Sequence, residues 1–255
     1  MLSAERREEL LRLVRDEGVG EVTELARLIG VSPSTIRRDL TSLETTGALV
    51  RVHGGAVLAA APAGPAEEPA PRDRRQEHPR EKDALADAAV RLVAPGSTLL
   101  ITGGTTSEAL VRRLAGIEGL TVVTNSLTIA GLLAELPGTE VVVLGGYLRH
   151  GENSLLGHIT RLAMAELSVD QAIVSTYGIS ARGLTGANIA EADTDRFLLD
   201  SVPRIVVLAD GSKFGRSSGI RIVGLDRVSA VVTDALAPEE DVAALRERGV
   251  EVVRG

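Results

Sequence analysis

Hydrophobic residues in the first 45 positions recur at the three- and four-residue spacing of helices, which predicts three short helices. Their apolar positions are, in order, Leu10, Leu13 and Val14, then Val22, Leu25, Ala26 and Ile29, and finally Ile36, Leu40 and Leu43. Gly30 separates the second helix from the third. Ser32 is well placed to cap the third helix, with Pro33 at its first position.

A different pattern follows the third helix. Residues 48–58, ALVRVHGGAVL, alternate apolar and polar positions and break at two glycines, which predicts a small β-hairpin. Three helices followed by a hairpin are typical of a winged helix-turn-helix, and we assign this domain to residues 1–58.

Residues 59–80 carry five of the ten prolines and no large aliphatic side chain, so we predict an extended linker. Its arginines form a basic cluster, which we expect to be solvated and which could add phosphate contacts: Arg72, Arg74, Arg75 and Arg80.

Beyond the linker, short β-rich runs alternate with amphipathic segments. The predicted strands are 97–102, 120–125, 139–146, 171–176, 204–210, 228–234 and 251–254. The predicted helices are 81–93, 107–115, 127–136, 158–167, 190–201 and 240–249. This alternation predicts an α/β domain over residues 81–255, with a mostly parallel sheet covered by helices on both faces.

Composition narrows the possible functions. Among 255 residues there is no Cys, which excludes disulfides and thiolate chemistry, and aromatic residues make up only 2%. The start, MLSAERREEL, is charged at once and does not resemble a secretory signal, and no apolar run is long enough to cross a membrane, so we expect a cytoplasmic protein. A net charge of −7 disfavours binding of nucleic acid over the whole surface but allows a local binding face.

The third predicted helix has a polar outer side. With its apolar positions facing inward, five residues face outward: Ser34, Thr35, Arg37, Arg38 and Thr41. Guanidinium groups bind phosphate or guanine in a bidentate manner, and hydroxyls bind backbone or base edges. Taken alone, these charges fit a solvated surface helix as well as a helix that enters the major groove.

Residues 21–57 resemble the DNA-binding segment of the DeoR family of bacterial transcription regulators, through the runs STIRRDL and RVHGGA. This resemblance implies that the third helix contacts operator DNA, with the wing near phosphates. The implied DNA-binding residues are Ser32, Ser34, Thr35, Arg37, Arg38, Thr41, Arg51 and His53. Residues 1–58 hold eight Arg and nine acidic residues, so a second copy of the domain is expected to contribute to affinity.

Polar turns follow several predicted strands of the α/β domain. The first, ITGGTTSEAL at 101–110, joins a strand to a helix through two glycines and three hydroxyl residues. Similar turns begin at 124, 145, 175 and 209. In a parallel sheet these turns share the carboxyl edge, where such sheets bind ligands, and their composition suits a small phosphorylated polyol.

Residues 81–253 also resemble the DeoR sensor domain, which is similar in fold to ribose-5-phosphate isomerase and typically senses a sugar phosphate. The matching stretches include GGTT, VVTNSL, VVVLGG, GLTGANIAEA and VVLADGSKFG. The effector-binding residues expected from this resemblance and from the turns are Gly103, Gly104, Thr105, Thr106, Thr124, Asn125, Ser126, Gly145, Gly146, Arg149, Tyr177, Glu191 and Lys213.

One departure concerns the carboxylates of the sensor site. Tyr177 and Ser180 stand where the family usually has aspartates, so we expect a more acidic or less hydroxylated effector. Asp193 and Asp195 lie near the start of a predicted helix, where acids interact favourably with the helix dipole.

The leading hypothesis is therefore a homo-oligomeric transcription regulator, and more specifically a repressor of a sugar or carbon operon. It would bind double-stranded operator DNA and a phosphorylated metabolite, without a metal or a cofactor. Two alternatives remain: a sugar-phosphate isomerase that uses Glu191 as a base, and a DNA-binding protein whose cavity no longer binds an effector.

Overall fold

The structure, a computed structural model, describes residues 6, 7, 10, 13, 19–45, 49–52, 55–58, 69–216 and 220–255. They belong to two compact units, residues 1–64 and residues 65–255. The wing residue His53 lies outside the described residues.

The N-terminal unit contains a helix-turn-helix and a small sheet. Its helices are α1 (Val22–Ile29) and α2 (Pro33–Thr45), and its strands are β1 (Val19–Glu21), β2 (Leu49–Val52) and β3 (Gly55–Leu58). β2 and β3 form the predicted antiparallel hairpin, and β1 pairs with β3 as a third strand that the sequence pattern did not predict. Residues 6, 7, 10 and 13 are helical.

The core of this unit is aliphatic. Seven of the ten residues predicted from helical spacing to face inward are buried: Leu10, Val22, Leu25, Ala26, Ile36, Leu40 and Leu43. Leu13 and Ile29 are partly buried, and Val14 lies outside the described residues. Gly30 ends α1 in the left-handed conformation, with φ of +76°, which glycine adopts without steric cost. Its amide and that of Val31 both donate to the carbonyl of Ala26 and close the helix end.

The C-terminal unit alternates strands and helices. Its strands are β4 (Thr98–Ile101), β5 (Thr121–Thr124), β6 (Glu140–Val143), β7 (Tyr147–Arg149), β8 (Ser154–Leu156), β9 (Gln171–Ser175), β10 (Gly178–Ser180), β11 (Gly183–Gly186), β12 (Arg204–Leu208), β13 (Ile220–Arg221), β14 (Ala230–Thr233) and β15 (Glu251–Arg254). Its α-helices are α3 (Pro71–Gln76), α4 (Pro79–Ala89), α5 (Thr105–Val111), α6 (Leu127–Ala134), α7 (His158–Ala165), α8 (Ile189–Asp200) and α9 (Glu239–Glu247).

Seven of these strands form one sheet in the order β15-β14-β12-β9-β4-β5-β6. Every pairing in it is parallel, which confirms the predicted α/β class. Alternate residues of a strand point to opposite faces. Leu100 accordingly packs in one apolar cluster with Leu198 of α8, and Leu99 packs in another with Leu110 of α5. Helices therefore cover both faces of the sheet.

Two small antiparallel elements were not predicted. β7 and β8 form a hairpin, and β10, β11 and β13 form a three-stranded sheet. Their strands have two to four residues and contain several glycines, so they carry too little apolar alternation to register as strands. They lie in the chain between the strands of the main sheet and contribute to the cavity described below.

The predicted linker was wrong from residue 71 onward. The chain forms α3 and the start of α4 there, each with proline in its first turn. The guanidinium of Arg75 makes a bidentate ion pair with Glu108 of α5, with N–O distances of 2.7 and 2.9 Å. Lys82, only 6% exposed, donates to the carbonyls of Arg74 and Glu77 at the end of α3. Polar side chains, rather than an apolar stripe, therefore hold α3 in place.

Candidate functional site

The start of α2 is organised by hydroxyl groups. The Ser32 hydroxyl accepts a hydrogen bond from the Thr35 amide at 3.3 Å, as predicted for an N-cap, and contacts the hydroxyls of Ser34 and Thr35 at 2.8 and 2.9 Å. The Thr41 hydroxyl donates to the Arg37 carbonyl at 2.9 Å. These hydroxyl contacts are within α2 or its cap, so they shape the helix while its outer side stays open.

The three charged residues in the middle of α2 have different environments. Arg37 and Arg38 are exposed, and neither has an ion pair or a hydrogen-bonded side-chain partner among the described residues. Asp39 is buried instead, and it accepts hydrogen bonds from the Arg6 guanidinium at 2.6 and 3.3 Å. The adjacent acid is thus neutralised inside the unit, and both guanidinium groups remain available to a ligand.

The described part of the wing consists of residues 49–52 and 55–58. Arg51 lies on β2, opposite Ala56 of β3, so its backbone position is defined. His53, two positions further along the sequence, lies outside the described residues.

The main cavity of the C-terminal unit lies at the carboxyl edge of the sheet. Its lining comes from the ends of β4, β5 and β9 and from the segments that cover them. The residues are Arg74, Thr102, Gly103, Gly104, Asn125, Glu152, Ser154, Leu156, Ser175, Thr176, Tyr177, Gly186, Ala187, Glu191, Ala192, Asp195 and Ile222. The cavity opens to solvent, and the space that includes its mouth is about 680 Å³.

Backbone packing forms the floor of this cavity. Gly104 has φ of +135°, and a Cβ atom there would lie 1.9 Å from the Ser175 hydroxyl. That hydroxyl donates to the Gly103 carbonyl at 3.2 Å and lies 3.4 Å from the Ser107 hydroxyl. Only glycine lets the turn after β4 pass this close to the end of β9.

Charged groups line the walls. Arg74 pairs with Glu152, and both are largely buried, at 11% and 15% side-chain exposure. Glu191 lies 2.8 Å from the Arg149 guanidinium and accepts a hydrogen bond from the Ser154 hydroxyl at 2.6 Å. Asp195 lies one helical turn beyond Glu191, and burial, with a smaller contribution from Glu191, raises its pKa to about 7.

The structure brings five of the predicted effector residues together at this cavity: Gly103, Gly104, Asn125, Tyr177 and Glu191. Ser126 lines a neighbouring cavity with Gly104, between α3 and residues 151–153. Arg149 does not line the cavity, but it forms an ion pair with Glu191, which does.

The remaining predicted residues do not line either cavity. Thr106 and Thr124 are buried in the packing, and Thr105 is half-buried at the start of α5. The Gly145 carbonyl accepts a hydrogen bond from Thr160 of α7 at 2.6 Å, and Gly146 packs beside the same side chain. Lys213 lies near Asp210 and Lys82, away from these two cavities.

Sequence reasoning missed Arg74, Glu152 and Asp195. Arg74 was assigned to a solvated linker, and Asp195 to a favourable position in the helix dipole. Three carboxylates, those of Glu152, Glu191 and Asp195, line the cavity, although positions 177 and 180 carry none. The sequence did contain one indication that Asp195 belongs to the site. Glu191 and Asp195 are four residues apart, so they lie on the same face of α8.

Comparison with known proteins agrees with this two-unit arrangement. Residues 6–61 match the DeoR-like helix-turn-helix domain, and residues 77–235 match the DeoR C terminal sensor domain. The chain belongs to the DeoR family of transcription regulators.

Full-length relatives support the assignment. The chain is 32% identical over 249 residues to the HTH-type transcriptional repressor CsqR of Escherichia coli K12, covering 97% of this chain and 94% of that protein. It is 30% identical to the glycerol-3-phosphate regulon repressor of the same strain, covering 99% of each.

A solved ribose 5 phosphate isomerase A from Neisseria gonorrhoeae is similar over 53% of each chain, with 20% identity and a TM-score of 0.40.

None of the described helices combines the length and apolar character needed to cross a bilayer.

Replacing Gly104 by alanine is expected to destabilise the C-terminal unit by about 1–3 kcal/mol, because the new Cβ atom meets Ser175 and the backbone must leave φ of +135°. Urea unfolding followed by circular dichroism measures this loss. Gly131→Ala is the matched control, since a Cβ atom there meets nothing within 4 Å in helix α6. Equal stability of the two variants would contradict the proposed close approach.

Proposed function

We propose that this protein is a repressor that binds operator DNA through α2 and the wing, and that a small phosphorylated metabolite in the sensor cavity controls this binding. The DNA-binding role is supported by the different environments of three neighbouring charged residues in α2. Arg37 and Arg38 are exposed and have no side-chain partner among the described residues, whereas Asp39 faces inward to Arg6. Two free guanidinium groups on a helix-turn-helix favour docking in the major groove.

The hydroxyl residues at the start of α2 complete the proposed contact surface. Ser32, Ser34, Thr35 and Thr41 would bind phosphate oxygens or base edges beside the arginines, and Arg51 and His53 of the wing would approach the flanking phosphates. A protein with this partner would act in the cytoplasm, where the chromosome of a bacterial cell lies.

Arg37→Ala and Arg38→Ala are each expected to weaken binding of operator DNA by about 5- to 100-fold, the range for losing a phosphate or base contact. A duplex selected from a randomised library with the wild-type protein serves as the probe, and fluorescence anisotropy gives the Kd. Where the lost contact is to phosphate, the slope of log K against log salt decreases by about 0.9.

Arg91→Ala is the control for net charge, because this exposed arginine belongs to the C-terminal unit. It should leave the affinity and the salt slope unchanged. Wild-type affinity in both Arg37→Ala and Arg38→Ala would refute the docking proposal.

The cavity at the carboxyl edge supports the effector role. Gly103, Gly104, Ser175 and Arg74 line it with backbone, hydroxyl and guanidinium groups of the kind that bind phosphate. We place the phosphate at Gly103 and Gly104, near Arg74, with Asn125, Tyr177 and Glu191 around the rest of the ligand. The name of one relative, a glycerol-3-phosphate regulon repressor, is consistent with a phosphorylated effector.

Exposed apolar side chains support a homo-oligomer. Tyr147, Ile159, Leu162 and Ile189, on β7, α7 and α8 of the C-terminal unit, are 55%, 61%, 55% and 74% exposed. Large apolar side chains on neighbouring elements are typical of protein interfaces. We therefore assign this surface to contact with a second copy of the chain.

Ile159→Glu is expected to shift the oligomer toward monomer, because a buried charge in an apolar interface costs several kcal/mol. Light scattering coupled to gel filtration measures the mass. Leu236→Glu, at a residue that is 65% exposed and lies outside this surface, is the control. An unchanged mass for Ile159→Glu would exclude this surface as the interface.

A second candidate function, sugar-phosphate isomerisation, is favoured by one observation. Asp195 has a pKa of about 7 and faces the cavity, as a general base would. Glu191, the base considered from sequence, is held by Arg149 and Ser154 and is poorly suited to proton transfer. Incubation with pentose and hexose phosphates should give no turnover by a regulator, and turnover abolished by Asp195→Asn would establish the enzyme instead.

A further inference from the structure

Acceptor groups of the cavity are left without partners. Asn125 is 2% exposed, and its amide nitrogen donates to the Leu155 carbonyl at 3.2 Å, which fixes the orientation of the side chain. Its Oδ1 atom is buried and has no hydrogen-bond partner. A buried amide oxygen of this kind favours a ligand that brings a donor to it.

The carboxylate of Asp195, a half-buried residue, is a second acceptor group at the cavity. Of the three carboxylates in the cavity, Glu152 is paired with Arg74 and Glu191 with Arg149. Within the described ranges, Asp195 has neither an ion pair nor a hydrogen bond to any side chain or backbone group. Four apolar residues also line the cavity: Leu156, Ala187, Ala192 and Ile222.

Both acidic and basic groups surround Asp195. The charged residues that line the cavity or contact its lining are Arg74, Arg149, Arg216, Glu152, Glu191 and Asp195. On the outer side of α8, Asp193 is paired with Arg161, and Arg196 is bound to the carbonyls of Arg221 and Ile222. Arg216 lies over the ring of Tyr177, 4.0 Å from its centroid, and none of the described cations forms an ion pair with Asp195. Burial raises the pKa of Asp195 to about 7.

We propose that Asp195 is a specificity-determining residue that binds an ammonium group of the effector, so that the cavity selects an amino-substituted phosphorylated metabolite over its hydroxyl analogue. This inference rests on the proposed effector function and names its ligand class. An ammonium group supplies a counter-charge for the unpaired carboxylate, and its three donors suit the acceptor groups of the cavity.

Matched ligand pairs test this proposal. Glucosamine 6-phosphate and glucose 6-phosphate differ only in one amino group, and 2-aminoethyl phosphate and 2-hydroxyethyl phosphate form a second pair. Isothermal titration of the full-length protein at pH 7.5 gives each Kd, with propyl phosphate as a probe for the phosphate alone. At least one amino ligand is expected to bind about tenfold more tightly than its hydroxyl partner, the factor for one charge-assisted contact.

Asp195→Asn is expected to abolish this preference, bringing the ratio of the two Kd values to about 1 by removing the one interaction that distinguishes the pair. Because the change removes an unpaired carboxylate, the variant should fold and melt at no lower temperature than the wild type. Asp195→Ala provides a second variant with the same expected ratio. Asp193→Asn is the control, because this exposed acid lies on the same helix and outside the cavity.

The same ratio should depend on pH. At pH 6.0 Asp195 is mostly protonated and the amines stay charged, so the preference for the amino ligand should fall several-fold relative to pH 7.5. Ionisation of the phosphate is common to both members of a pair and cancels in the ratio. In Asp195→Asn the ratio should be the same at both pH values.

The outcomes separate cleanly. Equal affinity within both pairs, or preference for the hydroxyl ligands, would overturn the ammonium proposal while leaving a phosphorylated effector in place. A preference that persists in Asp195→Asn would exclude Asp195 as its source. Failure of every phosphate compound to bind, propyl phosphate included, would refute the proposed effector function itself and this inference with it.

Discussion

The sensor unit depends on one close contact, in which the backbone leaves β4 at Gly103 and Gly104 and passes against Ser175 at the end of β9. Parallel pairing of β4 with β9 brings these two strand ends together. The absence of a side chain at Gly104 then lets the turn descend onto Ser175 and start α5 at the correct angle. The cavity opens above this contact, and α5 presents Glu108 to Arg75 of α3 on the other side.

The regular part of the fold could be predicted from sequence because its signal is local. Strands such as 204–208 are short aliphatic runs, and the helices between them have one apolar face, so periodicity alone separates the two. The same reasoning missed α3, since its six residues, PRDRRQ, contain no apolar stripe. Arg74 and Arg75 hold α3 in place by pairing with Glu152 and Glu108, which are 78 and 33 residues away in the chain. A local sequence pattern cannot reveal contacts at such distances.

The candidate site shows the same division. Gly103, Gly104, Asn125 and Tyr177 were predicted because they follow strands of a parallel sheet, and topology alone brings such positions together. Asp193 and Asp195 are only two positions apart, and the sequence does not show which of them faces the cavity. Asp195 lies in the cavity wall, whereas Asp193 pairs with Arg161 on the outer side of α8. On the N-terminal unit, likewise, only the fold reveals that Asp39 turns inward while its neighbours Arg37 and Arg38 stay outside.

The α3 helix, which begins at Pro71, is attached to the rest of the C-terminal unit by charge rather than by apolar packing. Arg74 pairs with Glu152, and Arg75 pairs with Glu108. Because dissolved salt screens partly exposed ion pairs, the attachment of α3 should weaken as the ionic strength rises, before the aliphatic core around the sheet is affected.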